Sequence, residues 1–308
     1  MGRPSQNIHS DIATALSGCP AAQARAAADL FLQEVPDLRP SSLSTLTGDG
    51  FPLICTFTTA DTALRWTADL RPRGDRRLRR IATQDAFRRL TQHRTTLPQG
   101  GEARYGAWLG GRIATDGTKT YKFYQDPNAQ TATVVGPIQS QSFAGFHPRL
   151  QMIGYGPSTD RREFYYRFDD SSPRLLKRLL ETASLGARFK DTEAIIDANA
   201  RKPIDATLPG GAMGASFAFD NDTAVPQLTL YFFARAFWGT DAAIRRNFIT
   251  LLQSAGRDPL PYAAASAPLS ARKKLRTFHD MAALSVTENG HAWGVGLRPI
   301  SAQSNQIF

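Results

Sequence analysis

The chain has 308 residues, 42% of them hydrophobic and 21% charged, which is ordinary globular composition with material for a sizeable core. No apolar run approaches the roughly 20 residues of a membrane helix. The opening Met1-Gly2-Arg3-Pro4-Ser5-Gln6 has no secretory apolar core and no Ser or Thr at position 6 for myristoylation, which predicts a cytoplasmic protein.

The first helix-like stretch is the Ala-rich Pro20–Glu34. Strand pairs with alternating, β-branched and aromatic-rich patterns follow, each broken by turn residues. Pro52–Thr59 and Thr62–Leu70 turn at Ala60-Asp61, with a helix over Arg76–His93 behind them. Ala103–Thr115 and Lys119–Gln125 turn at Asp116-Gly117, a strong hairpin signal. Leu150–Gly156 and Glu163–Phe168 turn through Pro157–Asp160, and helices over Ser172–Leu185 and Asp191–Ala200 come next. Gly214–Phe219 pairs with Gln227–Ala236 across Asp220-Asn221-Asp222. A helix over Thr240–Ala255 starts at a Thr240-Asp241 cap and keeps Ile244, Phe248, Leu251 and Leu252 apolar. Met281–Thr287 and His291–Arg298 turn at Glu288-Asn289-Gly290.

Five hairpins separated by helices make about ten antiparallel strands, which would expose two edges unless the sheet closed. The expected fold is therefore α+β: one domain over residues 1–308, a ten-stranded antiparallel barrel of five ααββ repeats with helices outside. Ten strands leave an interior wider than side chains alone fill, and such a lumen suits a small molecule.

The net charge of +10 asks for an anionic partner: nucleic acid, a membrane surface or a phosphorylated small molecule. The densest basic run is Arg71, Arg73, Arg76, Arg77, Arg79 and Arg80, ending near Arg88 and Arg89; the second is Arg272-Lys273-Lys274 with Arg276. Both read as solvated helix faces, because they lack the interleaved aromatics of a single-strand groove. A basic nucleic-acid-binding protein using Arg71–Arg89 stays as the alternative. Cys19 and Cys55 are too few for a disulfide framework or zinc site and read as small core residues.

Four stretches carry a resemblance. They are Leu46–Leu53 with Thr62–Asp69, Asp116–Pro127 with its Lys122-x-Tyr124 pair, Pro226–Phe232, and Trp293–Pro299. In order and spacing they resemble the ABBA aromatic prenyltransferases, the family of bacterial phenol prenyltransferases and dimethylallyltryptophan synthases. The resemblance covers about Ser41 to Pro299. It implies transfer of a dimethylallyl or geranyl group from its diphosphate to an electron-rich aromatic acceptor, a phenol or indole on a small molecule or peptide side chain. It also implies no obligatory Mg²⁺, no other cofactor, and neither nucleic acid nor membrane as partner.

Prenyl transfer needs cations and hydroxyls to hold the leaving diphosphate and aromatic walls to shelter an allylic cation. The strand period of two places Lys122 with Tyr124 on one face, Arg162 with Phe164 and Tyr166, and Gln227 with Thr229 and Tyr231; Arg65 sits mid-strand. The resemblance makes Arg65, Lys122, Tyr124, Arg162, Tyr166, Gln227 and Tyr231 the expected diphosphate cradle. Trp108 and Trp293 are the expected lumen wall, while Trp66 and Trp238 are core or wall candidates. Tryptophan-using members carry a Glu on the first strand where Ile54 stands here, which shifts weight toward a phenolic ring. Thr229 stands where many members place a basic residue, and Glu288 and His291 where a Lys is expected, so the cradle is thin. A non-catalytic carrier in the same barrel is the third reading. The proton acceptor stays open among water, released diphosphate and His291.

Other chemistries lack their motifs. Asp169-Asp170 is followed by Ser171-Ser172-Pro173 rather than a second metal-binding Asp and reads as a helix cap. Gly154-Tyr155-Gly156-Pro157-Ser158 is no nucleophile elbow, and Gly110-Gly111 and Gly210-Gly211 are not phosphate loops. His279 and Asp280 are adjacent, so their side chains diverge and make no dyad.

Overall fold

The computed structural model describes residues 46–47, 53–69, 88, 107–114, 116–127, 143, 145–156, 161–205, 207–209, 213–220, 223–274 and 277–298. The expected helix over Pro20–Glu34, Cys19 and the Arg71–Arg89 run, apart from Arg88, lie outside them.

Ten strands appear where the hairpin signals put them. They are β1 (Leu53–Thr58), β2 (Leu64–Asp69), β3 (Ala107–Ile113), β4 (Lys119–Gln125), β5 (Arg149–Tyr155), β6 (Arg162–Phe168), β7 (Met213–Asp220), β8 (Thr223–Phe233), β9 (His279–Thr287) and β10 (Gly290–Leu297). Every neighbour in the sheet is a neighbour in sequence, and β1 pairs antiparallel with β10 to close the barrel.

The two faces of the strands differ sharply in chemistry. On β9, Ala282, Leu284 and Val286 are fully buried, while Met281, Ala283, Ser285 and Thr287 line a central cavity. The buried row faces outward, against the helices. Helix α1 (Pro173–Thr182) presents Leu175, Leu176, Leu179 and Leu180 to Phe164, Tyr166 and Phe168 of β6. Its N-cap is Ser172, whose Oγ accepts from the Leu175 N–H at 3.2 Å, and Asp170 holds that serine in turn. The other helices whose full extent the described residues cover are α2 (Phe189–Asn199), α3 (Ala234–Trp238), α4 (Asp241–Ser254) and α5 (Leu260–Ala265). Among the described residues, no helix is long and apolar enough to cross a membrane.

Two elements depart from expectation. β8 ends at Phe233 rather than Ala236, because the chain turns into α3 and drives Phe237 and Trp238 into the outer core; Gly239 stops the helix at φ +99°. Helix α5 went unread, being six residues led by Pro259. Gly111 on β3 is required by close approach: a Cβ there would lie 2.3 Å from the Trp66 ring.

A buried polar cluster pins α4 to the start of β9. Asp241 accepts from the Phe278 N–H at 2.9 Å, from Arg272 Nε at 3.1 Å and from His279 Nδ1 at 2.8 Å. The hydroxyl of Tyr262 donates to His279 Nε2 at 2.9 Å, which fixes a neutral tautomer protonated on Nδ1. His279 points to this outer layer while Asp280 lines the cavity, so the adjacent pair does diverge.

Burial outweighs Asp241 and holds His279 below its ordinary 6.5, so the unfolded chain binds the proton more readily than the folded one. This contribution to stability is complete above pH 6.5 and declines as pH falls toward the folded-state value. Urea unfolding of a His279→Gln variant at about pH 7.5 and 5.5 is expected to show a flatter pH dependence than that of the unaltered protein, which loses stability toward the lower pH. Equal slopes would remove His279 from the account.

Candidate active site in the barrel lumen

The lumen is a cavity of about 1190 Å³, lined by residues of nine of the ten strands. Lys122 and Tyr124 share a face of β4 because they are two residues apart. Glycines on both neighbouring strands make room for them. A Cβ at Gly110 would stand 3.0 Å from the Tyr124 ring, and one at Gly154 3.0 Å from Lys122 Cδ and 3.3 Å from the Tyr165 ring.

Lys122 Nζ donates to Glu163 Oε2, and Ser216 Oγ donates to Glu163 Oε1 at 2.6 Å. Ser216 also lies 3.2 Å from the Tyr231 hydroxyl. Burial opposes charge on both members of the pair. The Lys122 ammonium and the hydrogen bonds from Lys122, Ser216 and Tyr165 nevertheless hold the Glu163 carboxyl below its ordinary value. Glu163 in turn raises Lys122. Both groups are therefore ionised at neutral pH.

Three tyrosines wall this cluster. The Tyr124 and Tyr165 ring centroids are 5.7 Å apart and those of Tyr165 and Tyr231 are 6.0 Å apart, with Lys122 Nζ 5.8 Å from the centre of the Tyr124 ring. Burial first, and Glu163 second, push the Tyr165 and Tyr231 phenols well above their ordinary value, so both stay neutral and able to donate.

A second cationic group stands beside the β1–β2 turn. Asp61 receives both guanidinium nitrogens of Arg65, each at 2.6 Å, and Arg112 Nη2 at 3.2 Å. Burial works against the Asp61 charge, but Arg65 overcomes it and holds the carboxyl far below the usual range. Arg65 and Arg112 are directly paired across β2 and β3. Two cations and one carboxylate leave a net positive spot. Arg257, also on the cavity wall, is spent on the carbonyls of Thr59 and Ala60 at 3.1 and 2.6 Å.

Of the expected cradle, Arg65, Lys122, Tyr124, Gln227 and Tyr231 all line the lumen, as does Trp108. Gln227 accepts from Arg161 Nη2 at 2.9 Å. Arg162, Tyr166 and Trp293 do not belong to that wall. β6 presents Glu163 and Tyr165 inward, which turns Arg162, Phe164 and Tyr166 outward; Tyr166 packs on Phe217 and Phe168. Trp293 packs on Phe237 and Trp238 in the outer layer, as Trp238 does. His291 borders the cavity, but both ring nitrogens are engaged, Nδ1 3.1 Å from Arg188 Nη2 and Nε2 3.0 Å from Thr192 Oγ1.

The reading from sequence missed Glu163, Tyr165, Ser216, Arg112 and Asp61. Arg112 had a usable signal, since it mirrors Arg65 one strand away. Asp61 read as a turn residue only. Among the described residues, no group of three or more His, Cys, Asp or Glu could hold a metal ion.

No protein-family model matches the sequence, and neither does any curated protein. Solved structures do match over nearly the whole chain. The Streptomyces coelicolor 5-dimethylallyltryptophan synthase in complex with DMASPP and Trp superposes with a TM-score of 0.71 at 16% identity, covering 95% of this chain and 94% of that one. The 6-dimethylallyltryptophan synthase of Micromonospora olivasterospora, with the same two ligands, gives 0.67 at 14% identity, covering 96% and 97%. Prenyltransferase PriB with L-tryptophan and dimethylallyl thiolodiphosphate gives 0.64 at 13%, covering 95% of each chain. The chain has the dimethylallyltryptophan synthase fold. In this version of that fold, the lumen carries Ile54 on β1 and a carboxylate, Glu163, on β6.

The glycine spacing gives a direct test of the lumen geometry. Gly154→Val places methyl groups where the Lys122 stem and the Tyr165 ring now lie, on the inner face and away from the outer core. Titration calorimetry with inorganic pyrophosphate is expected to show binding weakened about tenfold or more, with the far-ultraviolet circular dichroism unchanged. Unchanged affinity would detach Lys122 from the anion site.

Proposed function

We propose that this chain is an aromatic prenyltransferase, transferring a dimethylallyl or geranyl group from its diphosphate to an electron-rich aromatic acceptor. The observation that carries the reading is the juxtaposition of inward cations with a three-tyrosine wall inside one closed lumen. Its volume exceeds the roughly 300–1,000 Å³ of an ordinary small-molecule pocket, so prenyl donor and acceptor fit together.

Each group has a task. Arg65, Arg112 and Lys122 neutralise the diphosphate as the bond from its oxygen to prenyl C1 breaks and the electron pair leaves with the phosphate. The Tyr124, Tyr165 and Tyr231 hydroxyls donate to the phosphate oxygens, and burial keeps those of Tyr165 and Tyr231 neutral. Their ring faces shield the allylic cation, an attraction of about 2 kcal/mol when desolvated. The acceptor ring then bonds to C1 and gives its proton to the released diphosphate or to water. Fixed cations and hydroxyls do this without metal, since the leaving charge meets pre-oriented groups. The acceptor is a phenol or an indole, free or on a peptide side chain. An indole would be held without a carboxylate at Ile54, which favours the phenol.

Titration with dimethylallyl and geranyl thiolodiphosphates, with and without Mg²⁺, tests the reading. Metal-independent binding is expected, weakened about 100-fold by Lys122→Ala and similarly by Arg65→Ala, the worth of one lost charge-assisted contact. Mass spectrometry over a panel of phenols and indoles with dimethylallyl diphosphate should then show a gain of one prenyl unit. Binding without any product would favour a carrier. No binding of either compound would defeat the proposal.

A further inference from the structure

Glu163 has no place in a simple anion cradle, and packing does not explain it. It stands on the inner face of β6, while the apolar core of this strand is on the other face. Its two oxygens take an ammonium and a serine hydroxyl, with a tyrosine hydroxyl beside them. Ammonium and hydroxyl groups are the partners a phosphate oxygen takes.

We infer that Glu163 is an internal stand-in for the diphosphate: it occupies Lys122 in the free protein, and it takes up a proton when the diphosphate of the prenyl donor claims that ammonium. The inference rests on the prenyl-diphosphate reading above.

The surroundings of Glu163 leave few other ways to balance charge. Strand β4 supplies Lys122 and Tyr124, and β6 itself supplies Tyr165, with Arg161 just ahead of it. Strand β8 supplies Tyr231, while β5 and β7 offer Gly154 and Ser216, neither of them ionisable. A diphosphate drawn to Lys122 lies within about 4–6 Å of the carboxylate, where two like charges in a buried site disfavour double ionisation. Tyrosines that stay neutral cannot relieve the repulsion. A proton from solvent onto a Glu163 oxygen does, leaving Lys122 and the Ser216 hydroxyl to the phosphate.

The sign follows. In the free protein the carboxyl sits below its ordinary value, and with the diphosphate beside it the value rises. Between the two, binding consumes a proton, so affinity increases as pH falls. A glutamine of the same shape removes both the competition and the proton.

The experiment is titration calorimetry of inorganic pyrophosphate and of dimethylallyl thiolodiphosphate into the unaltered protein and into Glu163→Gln. Each titration is run in two buffers of different ionisation enthalpy, at about pH 7.5 and 6. Both ligands titrate in their own right, so the readout is the difference between the two proteins. The expected result is about one more proton taken up per ligand by the unaltered protein. Binding by Glu163→Gln should be about a hundredfold or more tighter at the higher pH, with the gap narrowing by about tenfold for each pH unit toward the lower, as uptake of one proton requires. Equal or weaker binding by Glu163→Gln, with the same proton count, overturns the inference while leaving prenyl transfer intact. If the variant does not fold, the unaltered protein decides: uptake no greater than the ligands' own titration supplies overturns it. No binding of thiolodiphosphate by the unaltered protein defeats prenyl transfer and this inference together.

Discussion

The structure depends on a reversal of the usual two-faced sheet. In most one-layered sheets the concave side fills with apolar groups; here the apolar rows of β5–β10 point out of the barrel into a core shared with the described helices. Phe164, Phe217, Leu230 and Leu284 belong to one outer core together with Leu179 of α1 and Phe248 of α4. Burial of this kind contributes about 25 cal/mol per Å², and in this cluster it lies between sheet and helices. The inner row is thereby released from any duty in holding the fold together. It is free to carry arginine, lysine and glutamate.

That freedom has an electrostatic condition attached. A charged group turned into a closed lumen loses much of its hydration, and each inward cation accordingly has an answer. Arg65 and Arg112 share Asp61, Lys122 has Glu163, and Arg257 is held by two backbone carbonyls. The site is a set of compensated pairs with a small positive excess near Asp61. Such a lumen holds its charges paired without ligand, and a stronger anion would compete for the same cations. Breaking one member of a buried pair is costlier than exchanging it.

How much of this could be read from sequence depended on which signal was unique. The hairpins were legible because Asp116-Gly117 and Asn289-Gly290 fix turns, and strand alternation then counted ten. Lys122 and Tyr124 were legible because one face of β4 holds both. On β6 the two faces are degenerate as text: Arg162, Phe164 and Tyr166 form one charged-aromatic row, Glu163 and Tyr165 another. Only pairing decides between them. Glu163 faces Gly154 across β5 and Tyr165 faces Ser216 across β7, and the small neighbours open space on that side. The Ser216 side of the choice lies 53 residues downstream of Glu163, beyond any local pattern. Trp293 misled for a related reason: mid-strand position says nothing about inside or outside until the helices carrying Phe237 and Trp238 are placed.

A barrel built this way separates its architecture from its ligand chemistry along every strand, odd positions from even. A lineage can therefore rewrite the inner alphabet, adding or deleting charge, widening or narrowing with glycine, while the outer alphabet keeps the same shape. Superposition over 95% of the chain at 16% identity is what that separation leaves behind. Ile54 and Glu163 are two letters of that inner alphabet. Backbone irregularities between Leu150 and Met152 and between Val295 and Leu297 are the complementary device, since each shifts the register by one residue and so swaps the phase of a strand partway along it. Point substitutions edit single letters in this barrel; a bulge gained or lost would transpose a whole line.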